Sequence, residues 1–182
     1  MPFEFIRCSL PEVILIETQL FSDIRGIFTE EYKRSDFIAQ GISDTFAQDN
    51  HSYSYSNVLR GLHFQLPPFA QAKLVRVVKG AIWDVAVDIR RSSPNFGKWV
   101  AEELSAENRK MLYIPEGFAH GFCVLGKEAE LMYKCSREFS SAHNAGIRWD
   151  DPDIAVGWPI TTPIISEQDA RLPLFRDAKV FD

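Results

Sequence analysis

Residues 73–90 read KLVRVVKGAIWDVAVDIR, and they constrain the fold more than any other stretch of this chain. From Ala81 onward the alternation is clean: Trp83, Val85, Val87 and Ile89 share one face, and Asp84, Ala86 and Asp88 share the other. A period of two is strand spacing, because successive side chains of an extended backbone point to opposite faces. Lys79-Gly80 offers a tight connection, so the segments on either side of it are expected to form a hairpin. KMLYIP (110–115) and ELMYKCS (130–136) read as further strands. Helical signal is confined to SDFIAQG (35–41), with Ser35 as N-cap and Gly41 as stop, and to SEQDARL (166–172). Many short strands with little helix predict an all-β sandwich or barrel carrying a few short peripheral helices. The Pro-rich stretch 149–175 is expected to wrap over that body.

With 182 residues, 46% of them hydrophobic, the chain can build one sizeable core, and residues 1–182 read as a single domain. A net charge of −5 without any Lys/Arg-rich run argues against a nucleic-acid partner or a membrane surface. Near the N-terminus Glu4 and Arg7 come early and the longest apolar run is Val13–Ile16, which suits neither a signal peptide nor a membrane span. Cys8, Cys123 and Cys135 are odd in number and lack C-x-x-C spacing, so they read as reduced, structural thiols of a cytoplasmic protein.

The chemistry concentrates around NVLRGLHFQ (57–65). A β-barrel with histidines invites a metal, and PEGFAH (115–120) has the P-x-G-x-x-H form of the second cupin metal motif. The first motif needs H-x-H and a following Glu, whereas His63 is followed by Phe64, Gln65, Leu66, Pro67 and Pro68. That donor set is too poor for zinc or iron. His63 then stands as either a general base or a core histidine. Lys73 opens a Val-rich strand, pointing either to solvent or inward toward something anionic. Tyr133 alternates with the apolar Leu131 and Cys135, which turns its ring inward, as a core residue or as an acid. Arg25 and Arg60 carry guanidinium forks suited to phosphate oxygens, with Gln48, Asp49 and Asn50 as short polar neighbours.

FSDIRGIFTEEY, FAQDNHSYSYSNVLRGLHFQ, AQAKLVRVVKGAIWDVAVDIRRSSPNFGKWV, LSAENRKMLYIPEGFAHGF and YKC run in order over about residues 10–175. In this combination the chain resembles the dTDP-4-dehydrorhamnose 3,5-epimerases of nucleotide-sugar metabolism. The resemblance implies a metal-free, cofactor-free cupin jelly roll, a homodimer with exchanged strands, and inversion at C3 and C5 of dTDP-4-dehydro-6-deoxy-D-glucose. It gives His63 the role of base, with Asp169 as the carboxylate that orients it. Lys73 becomes the stabiliser of the enolate at the C4 oxygen, and Tyr133 the acid on the opposite face. Arg25, Glu30, Gln48, Asn50, Arg60 and His120 match positions that contact the nucleotide diphosphate or the sugar. Phe139 falls where the family usually has a Tyr stacked on thymine, Asn144 where Glu is common, and Gln168 where Lys is common. These departures bear on the nucleotide end and leave the proton-transfer set whole. Two other readings are a single-centre epimerase of a related ketosugar and a nucleotide-sugar-binding cupin without catalysis. A site without the H-x-H donors predicts activity that survives exhaustive chelation. Turnover measured before and after dialysis against a strong chelator checks this, and a loss restored by added zinc or iron would return the metal reading.

Overall fold

The computed structural model describes residues 2–182. Its strands are β1 (Phe3–Arg7), β2 (Ile14–Thr18), β3 (Phe21–Asp23), β4 (Gly26–Phe28), β5 (Gln48–Tyr55) and β6 (Leu59–Gln65). They continue with β7 (Lys73–Asp88), β8 (Trp99–Ser105), β9 (Met111–Ile114), β10 (Phe118–Cys135) and β11 (Asn144–Gly146). Two short helices, α1 (Arg34–Ala39) and α2 (Glu167–Ala170), and a 3-10 turn at Phe175–Asp177 complete the chain.

Two strands, β7 and β10, are long enough to belong to both layers. The first part of β7 pairs with β9 and with the last part of β10, Lys73 lying opposite Cys135. The second part of β7 pairs with β8 and with the first part of β10, Asp88 lying opposite Phe118. One layer therefore runs β1-β2-β9-β7-β10-β5 and the other β8-β7-β10-β6-β11. Val75, Val77, Ile82, Ala86, Leu112, Phe122 and Leu131 fill the space between them. Outside the first layer, α1 packs Phe37 against Ile14, Ile16 and Leu74. Outside the second, Val85, Val87 and Ile89 are covered by Ile147, Ile154 and Ala178 from the C-terminal stretch, which wraps as its composition suggests. The architecture is a cupin-type jelly-roll barrel.

The hairpin expected at Lys79-Gly80 does not form. β7 runs through this dipeptide without reversing, because its pairing with β10 continues on both sides: Ala81 faces Leu125 and Gly80 faces Ala129. The register shifts here, and Gly80 takes φ +72°, so the dipeptide makes a bulge that lets the strand bend from one layer into the other. A Cβ on Gly80 would lie 1.9 Å from the Glu128 carbonyl oxygen, which explains why only glycine fits. Helix α1 starts one residue ahead of Ser35: Lys33 is its N-cap without a side-chain bond, and Ser35 instead donates to Asp36. Gly41 ends it at φ +88°, as expected. Both faces of 81–89 are buried, the Asp84/Ala86 face looking into the barrel.

Gly80 and Gly126 both have positive φ, but a Cβ at Gly126 would meet nothing within 4 Å. Gly126→Ala should cost about 1 kcal/mol of backbone strain. Gly80→Ala adds a clash with rigid backbone and should cost about 3 kcal/mol or more. Urea denaturation of the two variants measures the difference.

Candidate active site

Between the layers, at the end where β6 and the start of β7 meet the tail, lies an open cavity of about 780 Å³. β6 supplies His63 from one layer, and the start of β7 and end of β10 supply Lys73 and Tyr133 from the other. Gln48 and Asn50 on β5, Arg60 on β6, and Phe139, Asn144 and Asp169 complete the expected residues on its wall.

Asp169 reaches the cavity through the way the tail docks. Ile164 forms a parallel bridge with Val58, donating its N–H to Asn57 O (2.7 Å) and accepting from Leu59 (3.0 Å). Ser166 then caps α2, its Oγ accepting the Asp169 N–H at 3.0 Å. The first turn so formed places the Asp169 carboxylate, only 4% exposed, against β6. Oδ1 lies 2.8 Å from His63 Nε2, and Oδ2 accepts the Gly61 N–H at 3.3 Å. Burial works to raise the Asp169 pKa, but the bonds from His63, Gly61 and Ser166 outweigh it and hold the carboxyl below its usual range. An ionised carboxylate only accepts, so His63 Nε2 is the donor of this bond and Nδ1 is the ring nitrogen turned away from it. The imidazole is thereby fixed in orientation.

Across the cavity, Lys73 makes no hydrogen bond or ion pair among the described residues. Burial lowers its pKa, and the charges of Cys135 and Asp84 oppose that shift. Burial also raises the Tyr133 pKa, Cys135 adding to the effect and Arg60 countering it, so the phenol holds its proton for delivery. A polar chain leads outward from this pair. Asn50 Nδ2 donates to Cys135 Sγ at 3.5 Å, Gln48 Nε2 donates to Asn50 Oδ1 at 2.8 Å, and Gln48 Oε1 accepts the Phe139 N–H at 2.8 Å. Arg60 is braced by Nε on Ser54 Oγ (3.0 Å). At the rim, Phe139 is 59% exposed, a free ring face at the mouth of the cavity.

Three expected residues lie elsewhere in the single chain. Arg25 sits at the tip of the β3–β4 ribbon, paired with Asp23 at 2.5 Å, and Glu30 follows that ribbon. His120 is buried in the barrel, with Nε2 2.6 Å from Asp84 Oδ1. Burial keeps His120 toward its neutral form, against the pull of Asp84. Asp84 itself was not singled out by the sequence. Its signal is a carboxylate on the alternating face of a strand whose other face is wholly apolar. Gln71, Cys135 and Gln168 also line the cavity. Among the described residues no three His, Cys, Asp or Glu side chains converge to hold a metal ion.

A barrel whose cavity sets an oriented imidazole opposite a lysine and a phenol is an acid–base site for a carbonyl compound, of the cupin epimerase class. The family model for dTDP-4-dehydrorhamnose 3,5-epimerase matches residues 7–177. A dTDP-4-dehydrorhamnose 3,5-epimerase of Shigella flexneri is 51% identical over 177 residues, covering 97% of this chain and 98% of the relative. The crystal structure of the enzyme of that name from Sulfolobus tokodaii superposes with a TM-score of 0.93 at 44% identity, covering 100% of both chains. An epimerase from Legionella pneumophila, solved with dTDP-4-keto-L-rhamnose, gives a TM-score of 0.92 at 41% identity over 96% of this chain and 94% of that one. The chain belongs to the dTDP-4-dehydrorhamnose 3,5-epimerase family.

Asp169→Asn keeps the shape of the pair but removes the charge that fixes the tautomer, and should lower turnover by about 10²-fold. Because the folded-state pKa of Asp169 is depressed, its contribution to stability is present above the unfolded carboxylate value and is lost as pH falls through the folded value. The variant should therefore lose less stability than the unaltered chain on acidification below about pH 4. Steady-state rates and urea midpoints against pH check the two expectations separately.

Proposed function

We propose that this chain catalyses 3,5-epimerisation of dTDP-4-dehydro-6-deoxy-D-glucose to dTDP-4-dehydro-L-rhamnose, an isomerase step of dTDP-L-rhamnose biosynthesis, with the cavity as its active site. The observation that carries the reading is the His63–Asp169 pair at 2.8 Å in one cavity with Lys73 and Tyr133. C3 and C5 both flank the C4 ketone, so losing a proton from either gives an enolate conjugated with that carbonyl. His63 Nδ1 removes the proton. Lys73 meets the charge that gathers on the C4 oxygen, a contribution of about 3 kcal/mol for one donor. Tyr133, entering from the other layer, returns a proton to the opposite face. Inversion requires two groups on two faces, since a single group handing back its own proton regenerates the starting centre. Neither step requires a metal or a cofactor.

The same reading assigns the rest of the cavity. Arg60, Gln48 and Asn50 hold the diphosphate and sugar, Phe139 stacks on the base and Asn144 contacts the substrate from the rim, whereas His120, behind the wall and opposite His63, would reach the sugar only from beneath it. Residues 1–182 act as one unit, a reading supported by a family model that spans 7–177. Arg25 and Glu30 fit a homodimer with exchanged strands. The β3–β4 ribbon stands off the barrel with Ile24, Ile27 and Phe28 at 105%, 55% and 63% exposure, an apolar arm that a second copy would cover. Such an arm would carry Arg25 and Glu30 to the partner's cavity. Three free thiols favour the cytoplasm.

NMR of the keto-sugar nucleotide with the enzyme in D₂O tests the reading. Deuterium at both C3 and C5, with the L-sugar as product, is expected. Deuterium at one carbon would replace it with a single-centre epimerase, and none with a binding protein. His63→Ala should abolish exchange at both carbons, and substantial residual exchange would remove His63 as the base. Tyr133→Phe should retain exchange while slowing net inversion by about 10²-fold or more.

A further inference from the structure

Lys73 and Asp84 stand on the same strand, on either side of the bend at Gly80, and both turn into the barrel. Asp84 is fully buried. Its Oδ1 accepts from His120 Nε2 at 2.6 Å, and its Oδ2 is buried with no hydrogen-bond partner. A carboxylate enclosed with half its acceptors empty is costly unless a cation offsets its charge. Among the described residues no arginine or lysine pairs with it. The residue directly opposite on β8 is Glu102, a like charge whose own Oε1 takes the Cys8 thiol. His120 is held toward neutrality by burial. Lys73, without a partner of its own, is the lysine on which the Asp84 charge acts.

We propose that Asp84, anchored on His120, is a positioning residue for the epimerisation: its buried carboxylate is the counter-charge that keeps Lys73 an ammonium inside the barrel until the C4 oxygen of the substrate takes up that charge. The inference rests on the enolate-stabilising role proposed above for Lys73. An ammonium withdrawn from water by burial drifts toward the neutral amine, and a neutral amine stabilises an enolate far less. The titratable and charged groups that line the cavity with Lys73 are Cys135 and Tyr133 from β10, His63 and Arg60 from β6 and Asp169 from α2, while Asp84 on β7 and His120 on β10 lie within reach of its charge. Of the groups that favour its proton Asp84 is the carboxylate, and burial raises the Cys135 pKa and keeps that thiol protonated. His120 also lies opposite His63 in the β6–β10 register, so one buried carboxylate braces the floor beneath both the base and the oxyanion site.

Asp84→Asn keeps the size of the side chain and an oxygen for His120, and removes only the charge. Without it Lys73 gives up its proton at lower pH, so the alkaline limb of the kcat profile should move toward acid. Near the alkaline end kcat should fall at least about tenfold, with KM changed far less. In a Lys73→Met background the same substitution should produce no further shift of that limb. An unmoved limb in Asp84→Asn, or an equal loss in both backgrounds, overturns the proposal. Should Asp84→Asn fail to fold, ¹⁵N NMR of labelled lysines in the unaltered enzyme decides, with Lys73→Met to assign the signal. Lys73 persisting as an ammonium through neutral pH supports the counter-charge, and titration below neutrality overturns it. Absence of solvent exchange with the unaltered enzyme would instead sink the functional reading, which separates the two failures.

Discussion

The antiparallel pairing of β7 with β10 is the interaction on which the rest of the molecule depends. Each strand is long enough to serve both layers, so one ladder carries the chain through the bend at Gly80 and defines the space between the sheets. That ladder places Lys73 opposite Cys135 and aligns Tyr133 two residues away on the same inward face. It also sets Asp84 and His120 deeper in the same lumen. The hydrophobic fill of Val75, Val77, Ile82 and Leu131 backs this lumen with apolar side chains, and low polarity strengthens the charges buried against it. The scaffold and the electrostatics of the site thus follow from one register.

Within that frame the two catalytic halves are held differently. His63 is oriented by a carboxylate delivered from outside the barrel, on a tail anchored to Asn57–Leu59. Among the described residues Lys73 has no direct partner, as the oxyanion role proposed for it requires. A base needs a fixed tautomer, and an oxyanion stabiliser needs an unspent donor. The relay from Cys135 through Asn50 and Gln48 to the Phe139 backbone then connects the reacting end of the cavity with its rim.

Much of this was legible in the sequence, and for physical reasons. Strict alternation from Ala81 to Ile89 announces a strand, and β7 contains all of it but Ile89. The error at Lys79-Gly80 has an equally physical cause. A glycine that accommodates a bulge and one that closes a turn have the same local signature, and only the partner strand, fifty residues away, decides between them. Asp84 escaped notice because alternation assigns a face without saying which face is inside. In a barrel covered on its outer side by the tail, both faces are buried, and the aspartate is on the costly one. Arg25 and Glu30 were legible only through family resemblance, since the single chain leaves them away from the cavity.

The carboxylate that completes the base arrives late along the chain. His63 stands on a central strand, whereas Asp169 lies on the C-terminal stretch that also covers the second layer. A chain clipped in the exposed run before Ser166 would keep the strands that carry His63, Lys73 and Tyr133 and lose the carboxylate that orients the imidazole. The tail is thus as much a part of the cavity as the strands are, and its docking decides whether the imidazole is oriented.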